Sequence, residues 1–349
     1  MPVSRPRRIR VAVIYGGRSS EHDISLMSGA SVLAALDPDR YDVVPVQIGR
    51  QGAWQLEASG QLSLEPGAES RSLVPTSAGS PVPAEAGAID VVLPVLHGPF
   101  GEDGTMQGLL EMLNMPYVGS GVLGSSLTMD KDAVKMVLRS AGIAVAESVA
   151  FRHRRWDAGS VEPLGYPCFV KPARLGSSVG ISKVHGPDEL ADAMELAFSH
   201  DSKVIVEEFI AGREVEVGVL GNADPVVSVP GEILIANDSE WYDYSAKYDE
   251  GAMRLDAPAK LAAGVAAELK QAARLAFEVC ECAGMARIDF FVTPDDRVVL
   301  NEINAIPGFT STSVYAKLFE ASGISYPQLL DRLIELALER HAEESSYRH

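Results

Sequence analysis

The sequence predicts a mixed α/β (α+β) fold in three parts, an N-terminal open parallel α/β domain followed by two α+β units. Three observations carry this reading. Strand-like apolar runs alternate with helix-like segments over the first 120 residues, short strands flank one helix in the middle third, and a strongly apolar hairpin with amphipathic helices fills the last third. The boundaries read as 1–121, 122–212 and 213–349.

In the first part, IRVAVIY (9–15), YDVVPVQI (41–48) and IDVVLPVL (89–96) are strand-like, with helices expected over about Ile24–Leu36 and Gly104–Leu113. Residues 57–88 are rich in Ala, Ser, Gly, Pro and Glu without periodicity, so they read as a surface excursion. The second part opens with a helix over Asp130–Ser140. It continues through ESVAF, CFVKPA, SVGISKV, a helix over Pro187–Phe198 and KVIVEEF, a small antiparallel sheet with two helices. The third part holds EVEVGVLG, a long helix within 259–283, the hairpin RIDFFVTPDDRVVLNEIN (287–304), and helices near 311–321 and 326–340.

At 349 residues with 46% hydrophobic content, a sizeable core is expected. A net charge of -18 argues against nucleic acid as a partner, because phosphate polymers are bound by clustered Lys and Arg. No stretch of about 18 uncharged apolar residues occurs, so no membrane partner is expected. The basic run Arg5, Arg7, Arg8 and Arg10 precedes an apolar run too short for a signal-peptide core. Three cysteines, Cys168, Cys280 and Cys282, form neither a disulfide framework nor a zinc site, which suits a reducing, cytoplasmic location.

Along a strand, residues i and i+2 share a face, so Arg287 and Asp289 point one way, as do Glu302 and Asn304. With the turn centred between Asp295 and Asp296, Asp289 faces Glu302 and Arg287 faces Asn304. Two converging carboxylates repel unless a cation lies between them, and with an amide oxygen they suit Mg2+. An Arg287 ion pair with Asp289 or Glu302 on a solvated sheet face is the plainer alternative.

CFVKPARLGSSVGISKV (168–184) delivers Lys171 and then a loop of small residues, Gly176, Ser177, Ser178 and Gly180, whose N–H groups can approach a phosphate. It lacks the GK[ST] of a Walker loop. Lys131, at a predicted helix start, is a second phosphate candidate. VIVEEFIAGREVEV (204–217) carries Glu207 and Glu214 at a strand edge that can pair with an adenine amino group and ribose hydroxyls. GSGVLG (119–124) matches the dinucleotide spacing, but no full strand leads into it.

In order, GGRSSEHDIS, LHGPFGEDGTMQG, MDKD, VKPARLGSSVGIS, VEEFIAGREVEV, YDYSAKY, RIDFF and NEINAIPGFTSTS closely resemble the motifs of the D-alanine:D-alanine ligases of the ATP-grasp superfamily. That resemblance implies the ATP-grasp fold and ATP-dependent ligation of two D-alanines through a D-alanyl phosphate. It implies ATP and two Mg2+ ions, with Mn2+ able to substitute, held by Asp289, Glu302 and Asn304. Lys131 and Lys171 would contact phosphates, Ser178 and Lys247 would also bind the nucleotide, and Glu207, Phe209, Ile210 and Glu214 would contact its adenine and ribose. Glu21, Ser177 and Tyr248 would act as a set, Glu21 holding the first ammonium. Arg287 and the Gly308 N–H would stabilise the oxyanion, His97 would lie near the first D-alanine, and Ser313 and Val314 would contact the second. A homodimer is also implied. D-lactate or D-serine as second substrate and a catalytically silent nucleotide-binding regulatory protein are the alternatives to be tested.

Overall fold

The structure is a computed structural model and describes residues 7–56, 88–235 and 253–347. The segment 57–87, most of the excursion expected at 57–88, and the loop around 237–251 lie outside the described residues. The first sheet takes β1 (Ile9–Gly16), β2 (Tyr41–Ile48), β3 (Trp54–Leu56) and β4 (Val91–Pro94) in the order β3-β2-β1-β4. β1 pairs in parallel with β2 and β4, as the alternation predicts, and β3 adds a short antiparallel edge. At three residues β3 is too short to show any alternation in sequence. β1 is wholly buried from Val11 to Tyr15, which is why it reads as an unbroken apolar run. Helices α1 (His22–Ala35) and α2 (Thr105–Met112) accompany this sheet.

Next come α3 (Val122–Met129) and α4 (Lys131–Ser140), then β5 (Ser148–Arg152), β6 (Cys168–Pro172), β7 (Ser182–Val184), α5 (Pro187–His200) and β8 (Lys203–Glu208). The strands form an antiparallel sheet in the order β5-β8-β6-β7. α5 buries Leu190, Ala193, Met194, Ala197 and Phe198 in its core, the spacing of one helical stripe.

The third sheet takes β9 (Arg213–Gly221), β10 (Val226–Val227), β11 (Gly231–Ile235), β12 (Met253–Asp256), β13 (Gly284–Val292) and β14 (Val298–Asn304) in the order β12-β11-β9-β13-β14, with β10 beside β9. α6 (Ala263–Val279) packs Leu269, Ala273, Ala276 and Phe277 in the same core as Val215, Val217, Val219, Ile288 and Phe290. α7 (Val314–Ala321) and α8 (Tyr326–Glu344) close the chain, α8 opening on a capping box of Ser325 and Gln328. Two compact units result, Met1–Val122 with Ile306–His349, and Leu123–Ala305. Among the described residues no helix is long and apolar enough to cross a membrane. All three cysteines are buried and unbridged, and burial pushes the thiols of Cys168 and Cys280 up to about 11 and about 12.

Two of the glycines of GSGVLG have local reasons, one of backbone conformation and one of packing. Only a one-residue parallel bridge, Tyr117 to Val92, precedes them in place of a strand. Gly119 takes a left-handed φ of 100°, and Gly124 lies in α3 where a Cβ would collide with the Glu281 carbonyl oxygen. In an open helix Gly→Ala gains about 1 kcal/mol, so the sign is diagnostic. Gly124→Ala is expected to lower stability by about 1–3 kcal/mol in urea denaturation, and a gain would show that α3 does not press on the Glu281 turn.

Candidate active site

The second unit contains a cavity of ≈ 360 Å³ lined from both of its sheets. Lys131, Lys171, Ser177, Ser178, Glu207, Phe209, Ile210, Glu214, Asp289 and Glu302 all reach it. Sequence-predicted groups more than 150 positions apart thus line one cavity.

The hairpin pairs Arg287 with Asn304 and Asp289 with Glu302, as expected. Its turn requires a correction. Phe290, Phe291 and Val292 pair with Leu300, Val299 and Val298, which centres the turn on Asp295 rather than between Asp295 and Asp296. A β-bulge then leaves Asn301 as an extra residue and restores the expected partners. Asn301 and Glu302 consequently both line the cavity.

Arg287 Nε donates to Asp289 Oδ1 at 2.8 Å and Nη2 to Asp289 Oδ2 at 2.7 Å, while Asn304 Nδ2 donates to Asp289 Oδ2 at 3.0 Å. The Arg287–Asp289 ion pair weighed as an alternative is therefore present, but in the interior. The two side chains are only 15% and 13% exposed. Glu216, which the sequence reading missed, places Oε2 2.9 Å from Arg287 Nε.

Lys131 is fixed by its helix start. Asp130 caps α4 by accepting from Ala133 N–H at 3.0 Å and is held by Lys203 Nζ at 2.6 Å. Lys131 N–H donates to Ala173 O, its Nζ donates to Leu175 O at 2.7 Å, and Nζ lies 3.9 Å from Glu302 Oε2. The Gly/Ser loop that follows is bent through left-handed φ values at Ser177 (49°), Ser178 (58°) and Gly180 (71°). Phe209 lies beside Phe169, ring centroids 6.1 Å apart, and under Lys183 Nζ at 4.9 Å.

Glu207 is buried between two lysines, Lys171 at 2.6 Å and Lys135 at 3.1 Å. Burial alone would push its carboxyl up, but Lys135 and Lys171 outweigh that and hold it down at about 2. Lys135 was also missed, although it stands one helical turn after Lys131.

The first unit gathers a second set. Glu21 stands at the N-cap position of α1, and a Cβ on Gly98, which has φ 73°, would collide with its Oε2. His97 hydrogen-bonds through Nε2 to Ser28 Oγ (3.0 Å) and through Nδ1 to Ile306 O (3.1 Å), with Glu102 Oε1 at 3.6 Å. Burial would lower the His97 pKa, yet the nearby Glu102 carboxylate and the charge of Glu21 raise it. Phe309 N–H donates to Ser28 Oγ, Thr310 N–H to Ser313 Oγ, and a Cβ on Gly308 would touch Ser313 Oγ at 3.4 Å. Val314, the first residue of α7, is buried. Glu21 belongs to the first unit and Ser177 to the second, and Lys247 and Tyr248 lie outside the described residues.

Known proteins are similar to this chain in sequence and fold. The family profile for the D-ala D-ala ligase N-terminus matches residues 10–120, and that for the D-ala D-ala ligase C-terminus matches residues 137–335. The D-alanine–D-alanine ligase of Kineococcus radiotolerans is 47% identical over 95% of this chain and 97% of its own. The crystal structure of the VanG D-Ala:D-Ser ligase from Enterococcus faecalis superposes with a TM-score of 0.82 at 37% identity, covering 95% of this chain and 100% of that one. That of the D-alanine–D-alanine ligase from Bacillus anthracis complexed with ATP gives 0.77 at 29% identity, covering 96% and 99%. Fold and site together define an ATP-using ligase of the ATP-grasp fold. The chain belongs to the D-alanine–D-alanine ligase family.

Glu207 also has a pH signature. Its folded pKa of about 2 lies below the ordinary 4.5, so its contribution to stability is full above about pH 4.5 and is lost as pH falls towards 2. Glu207→Gln strands Lys135 and Lys171 and is expected to cost roughly 3–5 kcal/mol at pH 7. It should also flatten the acid limb of a plot of unfolding free energy against pH, and an unchanged acid limb would contradict the assignment.

Proposed function

We propose that this chain joins two D-alanine molecules to D-alanyl-D-alanine, forming ADP and phosphate and supplying peptidoglycan precursor in the cytoplasm. Membership of the ligase family supports this reading, and one observation carries it: Lys131, Lys171, Asp289 and Glu302 converge on a single cavity. A carboxylate does not condense with an amine in water unless it is activated. The first D-alanine carboxylate attacks the γ-phosphorus and ADP departs. The second D-alanine amine then attacks the carbonyl carbon of the D-alanyl phosphate, and phosphate departs.

Each residue has a place in this scheme. Lys131, Lys171, Ser178 and Lys247 donate to phosphate oxygens, where positioning and charge dominate the rate effect. Glu207 with the Phe209–Ile210 backbone reads adenine, and Glu214 the ribose. Glu21 holds the first ammonium, His97 lies beside that substrate, and Ser313 and Val314 meet the second. Arg287 and the Gly308 N–H receive the tetrahedral oxyanion. Glu21, Ser177 and Tyr248 order the loops that exclude water from the acyl phosphate. In this partition 1–121 serves substrate binding, 122–212 is the lid, and 213–349 carries metal and catalytic groups, in a homodimer.

The residues present fit magnesium. Among the described residues no three His, Cys, Asp or Glu side chains form a metal cluster. Two carboxylates and an amide, completed by substrate phosphate and water, match how Mg2+ is commonly bound. Asp289, Glu302 and Asn304 would hold two Mg2+ ions, or Mn2+, which when bound neutralise phosphate charge.

Likeness to a D-Ala:D-Ser ligase favours one second reading, D-serine as the second substrate. Purified protein with ATP, Mg2+ and D-alanine alone should release phosphate and yield D-alanyl-D-alanine. Release only when D-serine or D-lactate is added would move the assignment to those products, and nucleotide binding without turnover would support a silent protein. Glu302→Gln is expected to reduce ADP formation at least about 100-fold with its thermal midpoint nearly unchanged. Near-full turnover in that variant would overturn the metal assignment.

A further inference from the structure

We propose that Glu216 is the positioning residue that keeps Arg287 in place when Asp289 turns to a metal ion. This rests on the reading of Asp289 as a magnesium ligand given above. Across the third sheet, Glu216 on β9 faces Asp289 on β13, which faces Glu302 on β14, so three carboxylates form one row. Arg287 stands one same-face position away, opposite Gly218 on β9 and Asn304 on β14. With no side chain opposite it on β9, its guanidinium leans into the row. There Nε lies 2.8 Å from Asp289 Oδ1 and 2.9 Å from Glu216 Oε2.

One guanidinium is thus shared by two carboxylates that flank it from different strands, and one of them has a second task. A guanidinium stays protonated at any working pH, so it always requires an anion when water is excluded. The Arg287 and Glu216 side chains are 15% and 4% exposed, so solvent supplies little compensation. Asp289 takes two hydrogen bonds from Arg287, and were it the only anion there, each metal ion arriving at Asp289 would leave a poorly compensated interior cation beside a divalent one. Glu216 lies on β9, across β13 from the metal strand β14, and stays with Arg287 while Asp289 changes partner. Arg287 then keeps the orientation an oxyanion donor needs.

The consequence is directional. Neutralising Glu216 shifts the hold of Arg287 onto Asp289, where it competes with the metal. Binding of Mn2+, read from the electron paramagnetic resonance of the free ion in the presence of a non-hydrolysable ATP analogue, tests this. Glu216→Gln is expected to weaken Mn2+ binding about 10-fold and to lower kcat with little change in the KM for ATP. Arg287→Gln should bind Mn2+ at least as tightly as the unsubstituted protein, and the double variant should match Arg287→Gln. A merely structural Glu216 would weaken binding in both backgrounds. Normal Mn2+ binding by Glu216→Gln, or no recovery in the double variant, overturns the proposal. Glu216→Asp, which keeps the charge at shorter reach, substitutes if the Gln variant does not fold. It should show a smaller loss, again removed by Arg287→Gln. Asp289→Asn separates the two readings. If it retains Mn2+ the metal assignment falls and this inference with it, whereas if it loses Mn2+ while the Glu216 variants bind normally, only the role of Glu216 falls.

Discussion

The constraint on which this cleft depends is charge compensation before any substrate arrives. A polyphosphate site needs cations close together in a partly dry space, and such cations repel one another and lose hydration. The protein meets this by parking them on its own carboxylates. Lys171 rests on Glu207, Lys131 lies near Glu302, and Arg287 lies between Asp289 and Glu216. A chain with net charge -18 has carboxylates to spare for this purpose. Nucleotide binding in such a site is an exchange of internal partners for external ones, so affinity reflects the difference between two well-paired states.

Relative magnitudes decide how each lysine behaves. Lys171 and Lys135 share the same carboxylate, yet their pKa values move in opposite directions. Burial depresses both. For Lys171 the close contact with Glu207 and the charges of Glu302 and Glu214 outweigh it. For Lys135 the carboxylate is farther, Lys171 repels it, and burial prevails. Glu207 gains from both cations, which is why its carboxyl is held so low. Lys135 therefore acts on the cavity through Glu207, fixing the charge and orientation of a carboxylate whose other partner is a proposed phosphate ligand.

Much of this was legible in sequence because strand alternation and helix starts are local. The strands that make up β1, β2, β4 and the middle sheet, and the facing residues of the hairpin, are each marked by patterns within about twenty residues, and the strand–helix order supplies the parallel pairing of the first sheet. What escaped depends on partners distant in the chain. Glu216 had a signal in REVEV, where Glu214 and Glu216 share a strand face, but its value comes from facing Asp289 more than 70 positions away. Lys135 had only its helical spacing from Lys131, and a lysine at such a place is ordinarily solvated. It is buried here because Glu207 on β8 meets it. The same limit explains GSGVLG, whose Gly124 cannot be interpreted until the Glu281 carbonyl that it approaches is known.

The bulge shows how small a local feature can set the chemistry. Extended from the turn without interruption, the register of β13 and β14 would place Asn301 opposite Asp289 and Ile303 opposite Arg287. The face of the sheet that meets the cavity would then carry an amide and an apolar side chain where Glu302 and Asn304 now stand. A shift of one residue reverses faces along a strand, so the extra residue at Asn301 is what turns two carboxylates and an amide toward one another. It also sends Asn301 and Glu302 to the same side. The turn chemistry around Asp295 and the acidic pair at Asp289 and Glu302 are therefore compatible only through the bulge.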